Sequence, residues 1–162
     1  MARPSYMLSF LGLQEVRLGA QRFDEKFTGA FLVWEPGSWL PPSRALAQTV
    51  GPSADPLAPK RPTQTDALCF HLGDEPGLVV TVGRAPENDC IVSDGTVGRS
   101  HLLLTNEPGG WTVRAVGGRP VQVRGVALRQ VANLRPGDTL QIGNVALTFA
   151  DAPLIRSRTS SG

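Results

Sequence analysis

The chain has 162 residues, of which 41% are hydrophobic, and this is enough for one well-buried domain with a modest extension. Its formal net charge of +2 is too balanced for the dense basic face of a nucleic-acid-binding protein, so we expect no nucleic-acid partner. Only Lys26 and Lys60 are lysines, and all other basic side chains apart from histidine are arginines. Arginine suits bidentate recognition of phosphate or carboxylate, although a GC-rich genome produces the same bias.

The cysteines and the apolar runs indicate a reducing compartment. Cys69 and Cys90 are the two cysteines, and no CxxC pair accompanies His71 or His101, so we expect no metal, no cofactor and no disulfide scaffold. The N-terminal apolar run at residues 7–13 is interrupted and lacks a cleavage pattern, and no run is long enough to cross a membrane. We therefore predict a cytoplasmic protein without membrane contact.

Residues 1–35 are predicted to form a small helical and strand extension. Leucines and phenylalanines in residues 6–35 suit short helical turns interrupted at Gly19, and Ala30–Trp34 is typical of a short buried strand. Because such a piece cannot form a core alone, we expect it to pack on the main domain. If exposed, its aromatic residues would form a patch for a partner.

The rest of the chain divides into three predicted parts. Residues 36–65 are rich in Pro, Ala and Ser, which predicts a linker that resists regular structure. Residues 66–150 are predicted to be the main domain. Residues 151–162, which end in alternating Ser and Arg, are predicted to be a flexible tail.

The main domain alternates short apolar runs with turn residues. Breaks such as Glu75-Pro76-Gly77 and Pro136-Gly137-Asp138 combine the fixed φ of Pro with the positive φ of Gly. Many short strands at near-regular spacing predict a β-sandwich or barrel, and no stretch suits a crossover helix. The predicted strands are Leu68–Leu72, Leu78–Val82, Cys90–Val92, His101–Thr105, Trp111–Ala115, Val121–Val123, Val126–Leu128, Val131–Leu134, Thr139–Ile142 and Val145–Phe149.

Four sequence pieces, in their order and spacing, resemble the forkhead-associated (FHA) domain. They are Val82-Gly83-Arg84, Asn88-Asp89-Cys90-Ile91-Val92, Val97-Gly98-Arg99-Ser100-His101 and the run from Leu134 to Gly143 with Val145–Phe149 after it. The resemblance covers roughly residues 67–150. It implies an all-β fold, a sandwich of about eleven strands in two sheets that presents loops at one end to a phosphothreonine peptide.

The resemblance also implies roles for individual residues. Arg84 takes the position of the arginine that contacts the phosphate, and a guanidinium suits this role because it stays charged and offers paired donors. Arg99 matches a second position of the binding loop. Gly83 and His101 match positions that brace the loops.

Two positions depart from the family pattern. The family has a phosphate-binding serine where this chain has Gly98, so Thr96 or Ser100 is a candidate replacement hydroxyl. The family's peptide-binding Asn-Gly falls on Arg119-Pro120, and an arginine has no acceptor for a peptide main chain. Arg119 is instead a candidate phosphate contact. Two lost charge-assisted hydrogen bonds, each worth about 1.5–3 kcal/mol, would weaken binding by roughly two orders of magnitude or more.

Three functions follow, from different classes. The first is a phosphothreonine-peptide or degenerate phosphopeptide module in Ser/Thr kinase signalling. The second is a phosphate-independent scaffold that binds a protein partner through another surface, such as an apolar patch with Trp34 or Trp39, and that self-associates through the extension or linker. The third, an enzyme, is disfavoured because the sequence has no nucleophile elbow, no HExxH and no clustered carboxylates, and no catalytic residue is predicted.

Overall fold

The structure, a computed structural model, describes residues 3–36, 62, 63 and 65–160 of the chain. These residues form twelve strands and three helices. In chain order they are β1 (Ser5–Met7), α1 (Leu8–Leu18), α2 (Ala20–Lys26), β2 (Ala30–Trp34), β3 (Leu68–Gly73), β4 (Val79–Gly83), β5 (Cys90–Ile91), β6 (Leu102–Glu107), β7 (Gly110–Ala115), β8 (Gln122–Val123), β9 (Val126–Ala127), β10 (Val131–Asn133), β11 (Thr139–Ile142), β12 (Val145–Asp151) and α3 (Ala152–Ser160).

The strands form two sheets that pack face to face as a β-sandwich. The seven-stranded sheet has the order β1-β3-β2-β12-β11-β8-β9, and the five-stranded sheet has the order β10-β7-β6-β4-β5. The pairs are antiparallel except β4 with β5, which is parallel. Alternation along the strands fills the space between the sheets: in β11, for example, Leu140 and Ile142 are buried while Thr139 and Gln141 are exposed. This confirms the predicted all-β sandwich.

A second apolar layer lies on the outer face of the larger sheet, where the three helices pack. Leu11 of α1, Phe23 of α2 and Ile155 of α3 are fully buried there against Phe31 and Val33 of β2. Alternate residues of β2 face the sandwich core on the other side of the sheet. Burial on both faces explains why this strand is a continuous apolar run rather than an alternating one.

The N-terminal segment is part of the sandwich itself. Ala30–Trp34 forms a buried strand as predicted, but it lies between β3 and β12 and pairs with both. Ser5–Met7 adds an edge strand beside β3 where helical turns were predicted. The domain boundary predicted at residue 66 would therefore separate strands β1 and β2 from the other strands of the larger sheet. The linker predicted at residues 36–65 lies almost entirely outside the described residues.

Residues Ala152–Ser160 form a helix, which corrects the prediction of a flexible tail over residues 151–162 in the part that the structure describes. Asp151 caps the helix by accepting a hydrogen bond from the Leu154 amide (3.0 Å). Arg156 donates two hydrogen bonds to Asp24 (2.7 and 2.9 Å), and Arg158 donates two to Glu35 (2.8 and 2.7 Å). The composition of this segment indicated disorder. It could not reveal the two carboxylates that hold the helix, because they lie far away in the sequence.

Trp34 is completely buried, so the prediction that it contributes to an exposed patch is wrong, and Trp39 lies outside the described residues. The apolar side chains that the N-terminal segment does expose are on α1: Phe10, Leu13 and Val16. Self-association through this segment stays a prediction. In the described part of the chain, no helix combines the length and the apolar character needed to span a membrane.

Replacing Ile155 by alanine should lower the free energy of unfolding by about 2–4 kcal/mol, because the side chain is fully buried between the helices and the sheet. Urea denaturation of the purified protein measures this. The matched control is Val16→Ala on α1, whose side chain is 83% exposed and whose loss should change stability by about 0.5 kcal/mol or less. Equal effects of the two substitutions would show that the C-terminal helix does not pack on the domain.

Candidate functional site

The loops at one end of the sandwich are hydrogen-bonded to one another. The residues after β4 lie along the loop between β5 and β6: the Arg84 amide donates to the Gly98 carbonyl (2.9 Å) and the Ala85 amide donates to the Arg99 carbonyl (3.2 Å). The loop after β7 reaches the same end because β7 pairs antiparallel with β6. The turn between β11 and β12 also reaches it, since the Asn144 amide donates to the Thr96 hydroxyl. This end of the sandwich is called the loop end below.

The structure brings the backbones of Arg84 and Arg99 together at the loop end. Both side chains are exposed. Arg84 donates from Nε to the Val97 carbonyl (3.1 Å), which orients its guanidinium and leaves the terminal nitrogens available. Arg99 approaches Glu87 at 3.5 Å between Nη2 and Oε1, with the two side chains 69% and 68% exposed. A pair so exposed contributes little and leaves Arg99 able to bind another anion.

Gly83 and Asn88 hold the two segments in contact. A Cβ atom at position 83 would lie 2.3 Å from the Arg99 carbonyl oxygen, so the close approach requires glycine. Asn88 is buried and donates from Nδ2 to the carbonyls of Ala85 (2.9 Å) and Arg99 (2.6 Å). The sequence predicted the bracing role of Gly83. It did not predict that of Asn88, for which the one signal was a polar residue just before a short apolar strand.

His101 is hydrogen-bonded to the same loop. Its Nδ1 accepts a hydrogen bond from the Gly98 amide (2.9 Å), so the proton is on Nε2, which donates to the Pro120 carbonyl (3.0 Å). Burial lowers the pKa of His101; the hydrogen bond to Pro120 acts in the opposite direction, and the charge of Arg119 lowers the pKa further. The neutral ring therefore links the β5–β6 loop to the β7–β8 loop.

The two candidate hydroxyls differ in availability. The Thr96 hydroxyl donates to Asp94 Oδ1 (2.5 Å) and accepts from the Asn144 amide (2.8 Å), so it stabilises the loop and is not free to replace a phosphate-binding serine. This is a correction to its predicted role. Ser100 is exposed, and within the described residues its hydroxyl forms no hydrogen bond. Ser100 remains the available hydroxyl.

Arg119 lies beside the same loop. Its Cδ atom would be 3.1 Å from a Cβ atom at position 98, and its Nη1 donates to the Thr96 carbonyl at 3.4 Å. The side chain is exposed. Within the described residues neither Arg84 nor Arg119 forms a salt bridge. The loop end therefore carries three exposed arginines together with two acidic residues, the exposed Glu87 and the buried Asp94.

The described residues offer little that could hold a metal or act as a nucleophile. They contain no group of three or more His, Cys, Asp or Glu side chains that could hold an ion. Both cysteines are buried and free. Burial raises the pKa of the Cys69 thiol to about 12 and raises that of Cys90 as well, so both are protonated and unreactive in the folded protein.

An all-β sandwich that displays arginines on hydrogen-bonded loops at one end belongs to the class of loop-based recognition domains. Residues 80–143 match the family model of the FHA domain. The chain carries an FHA domain.

Known proteins with similar sequences or folds agree with this. An ABC transporter ATP-binding/permease protein of Mycobacterium tuberculosis is 36% identical over 87 residues, a match that spans 52% of this chain and 10% of the transporter. The crystal structure of the FHA domain of the CT664 protein from Chlamydia trachomatis has a TM-score of 0.53 at 17% identity, covering 76% of this chain and 98% of that one. A structure from an analysis of phosphothreonine-dependent FHA domain interactions has a TM-score of 0.51 at 15% identity, covering 76% and 96%.

Gly83→Ala should destabilise the domain by about 1–3 kcal/mol, because the new methyl group would overlap the Arg99 carbonyl and separate the two segments. Thermal or urea unfolding measures the loss. The control is Gly109→Ala, since a Cβ atom there has no neighbour within 4 Å. A neutral Gly83→Ala variant would contradict the close contact.

The pKa of His101 should lie below the value of about 6.5 for a free histidine, and the stability of the domain should depend on it. Between the pKa of the folded state and that of the unfolded state, the unfolded chain binds more protons than the folded one. The stabilisation that comes from the neutral His101 ring is therefore complete above pH ~6.5 and declines as the pH falls toward the folded-state pKa. Histidine NMR titration, assigned with a His101→Asn variant to separate it from His71, measures the shift. A value at or above that of free histidine would contradict the neutral ring.

Proposed function

We propose that the loop end binds phosphothreonine in a protein partner, through Arg84, Arg99 and Arg119. The observation that carries the proposal is that three exposed arginines lie on hydrogen-bonded loops at one end of the sandwich, and that the exposed pair of Arg99 with Glu87 is the one salt bridge they form within the described residues. Three positive side chains on adjoining loops favour the binding of an anion. A phosphate group carries close to two negative charges at pH 7.

The geometry around Arg84 supports a specific role in phosphate binding. The bond from Nε to the Val97 carbonyl fixes the guanidinium plane before the ligand arrives, so less side-chain freedom is lost on binding. The two terminal nitrogens stay available for bidentate contact with phosphate oxygens. Arg99 and Ser100 follow on the adjacent segment and are exposed, so both are available as further donors to the same group.

The absence of a side chain at Gly98 and the arginine at position 119 support a modest affinity. The site relies on charge more than on precisely placed hydroxyl and amide groups, and charge attraction at an exposed surface weakens with salt. We therefore infer binding that is strongly dependent on ionic strength. A partner that is bound through another surface, without phosphate, is the alternative that the experiment below separates.

The proposal assigns the domain to signalling by Ser/Thr kinases, which produce the modification it reads. Membership of the FHA family supports this, and one structural neighbour comes from an analysis of phosphothreonine-dependent FHA interactions. We assign no catalytic step to the domain. Its place is in the cytoplasm, where it encounters kinase substrates.

A phosphothreonine peptide should bind the protein more tightly than its unphosphorylated counterpart, by about tenfold or more. Isothermal titration with a matched peptide pair measures this at two salt concentrations. Arg84→Ala should remove most of the difference because it deletes a charged bidentate donor. Arg135→Ala is the matched control: this arginine is exposed on the connection between β10 and β11, at the opposite end of the sandwich. Equal binding of the two peptides by the unmodified protein would refute the proposed function.

A further inference from the structure

One side of α1 exposes a row of apolar side chains. Phe10, Leu13 and Val16 are 43%, 63% and 83% exposed, and a spacing of three positions places them next to one another along the helix. They are three of the six large hydrophobic side chains that the described residues expose. Leu11, by contrast, is fully buried among the other helices and β2. The row of Phe10, Leu13 and Val16 is called the α1 face below.

The aromatic ring of the α1 face is held in position by other rings. Phe10 stacks on Tyr6, with 5.6 Å between the ring centroids and 8° between the planes. Tyr6 in turn packs edge-on against the buried Phe27, with 5.5 Å between the centroids. Because these contacts order the Phe10 ring, it loses little freedom when a partner covers it. A large apolar ring that is already fixed suits the role of an anchor in a protein interface.

The two ends of the α1 face carry opposite charges. At its start, Asp66 accepts hydrogen bonds from the Ser9 amide (3.0 Å) and the Ser9 hydroxyl (2.5 Å), so a carboxylate lies beside the first turn of α1. This carboxylate has acceptor sites beyond those two bonds. At the other end, Arg17 is exposed, and within the described residues its side chain forms no hydrogen bond or salt bridge.

These charges are complementary to a second copy of the same face. A helix rises about 1.5 Å per residue, so in an antiparallel pair of α1 helices centred on Leu13, Phe10 of each copy lies at the level of Val16 of the other. By the same count, Arg17 of each copy lies at the level of the Asp66 carboxylate of the other. A parallel pair would instead bring the two Arg17 side chains together. A surface that matches itself in one orientation is what a two-fold dimer requires.

We propose that the α1 face is the interface of a two-fold homodimer in which the α1 helices of two copies pack antiparallel. Leu13 lies at the symmetry axis, Phe10 and Val16 lie on either side of it, and pairs of Arg17 with Asp66 form at the two ends. A standard interface has about 20–30 residues on each side, and this one is much smaller, so the Kd is on the order of 10–100 μM. The arginines of the loop end take no part, and association therefore does not depend on phosphate.

Sedimentation equilibrium of the unphosphorylated protein tests the proposal. The protein should change from monomer to dimer between about 1 μM and about 1 mM. Leu13→Asp should raise the Kd by about tenfold or more, because it places two carboxylates together at the axis. The matched control is Val126→Asp: Val126 is also exposed, at 69%, but lies on β9, so the Kd should stay within about twofold. Arg84→Ala should leave the Kd unchanged as well.

Cross-linking tests the antiparallel geometry with a variant that keeps an uncharged side chain on the α1 face. Leu13→Cys places one thiol of each copy at the axis, whereas the native Cys69 and Cys90 are buried. With oxidised glutathione, this variant should form a disulfide-linked dimer about tenfold faster or more than Val126→Cys, because its two sulfurs are already close together.

Three results would overturn the proposal. The first is a protein that stays monomeric at every concentration, whether the α1 face then binds another protein, a membrane or nothing. The second is a dimer that Val126→Asp or Arg84→Ala weakens as much as Leu13→Asp does, since association would then use another surface. The third is a Leu13→Cys variant that links no faster than Val126→Cys. None of these results bears on phosphothreonine binding, which the peptide titration measures separately.

Discussion

The contact between the backbone after β4 and the loop before β6 is the constraint on which the site depends. Position 83 has no side chain, so the Arg99 carbonyl approaches it more closely than any Cβ atom would permit. The buried Asn88 amide then binds carbonyls on both sides of the contact. These contacts bring together the backbones of Arg84 and Arg99, which are separated by fifteen positions in the chain. The neutral His101 extends the same network to the loop that carries Arg119.

The larger sheet is one of the two sheets of the sandwich that carries this loop end. Its central strand β2 comes from the N-terminal segment and is buried on both faces, so the sandwich core and the helical layer share one strand. The C-terminal helix closes the helical layer through paired arginine–carboxylate contacts with Asp24 and Glu35. Segments from both ends of the described chain are thus needed to complete the layer behind the sheet, although neither contributes a side chain to the arginine-rich loops.

The sequence was most informative where a local pattern determines the structure. The apolar run Ala30–Trp34 predicted a buried strand correctly, and the motifs around Arg84 and Arg99 lie on two segments whose backbones are hydrogen-bonded to each other. It was least informative where residues that are distant in the sequence determine the local structure. The hydroxyl of Thr96 is occupied by Asp94 and by the Asn144 amide, which comes from a distant turn, and the helix at residues 152–160 depends on carboxylates more than a hundred positions away. Arg119 lies next to Gly98 because the β7–β8 loop contacts the β5–β6 loop. The spacing of residues in the sequence does not reveal that contact.

The two buried thiols sit in different layers of the molecule. Cys69 lies in the helical layer and Cys90 in the sandwich core, and neither reacts as a thiolate while it is enclosed. Chemical labelling of each sulfur therefore requires its own layer to open, and the two labelling rates would report separately on loosening of the helices and on rupture of the sandwich. The chain carries, without any engineering, one internal probe for each half of its architecture.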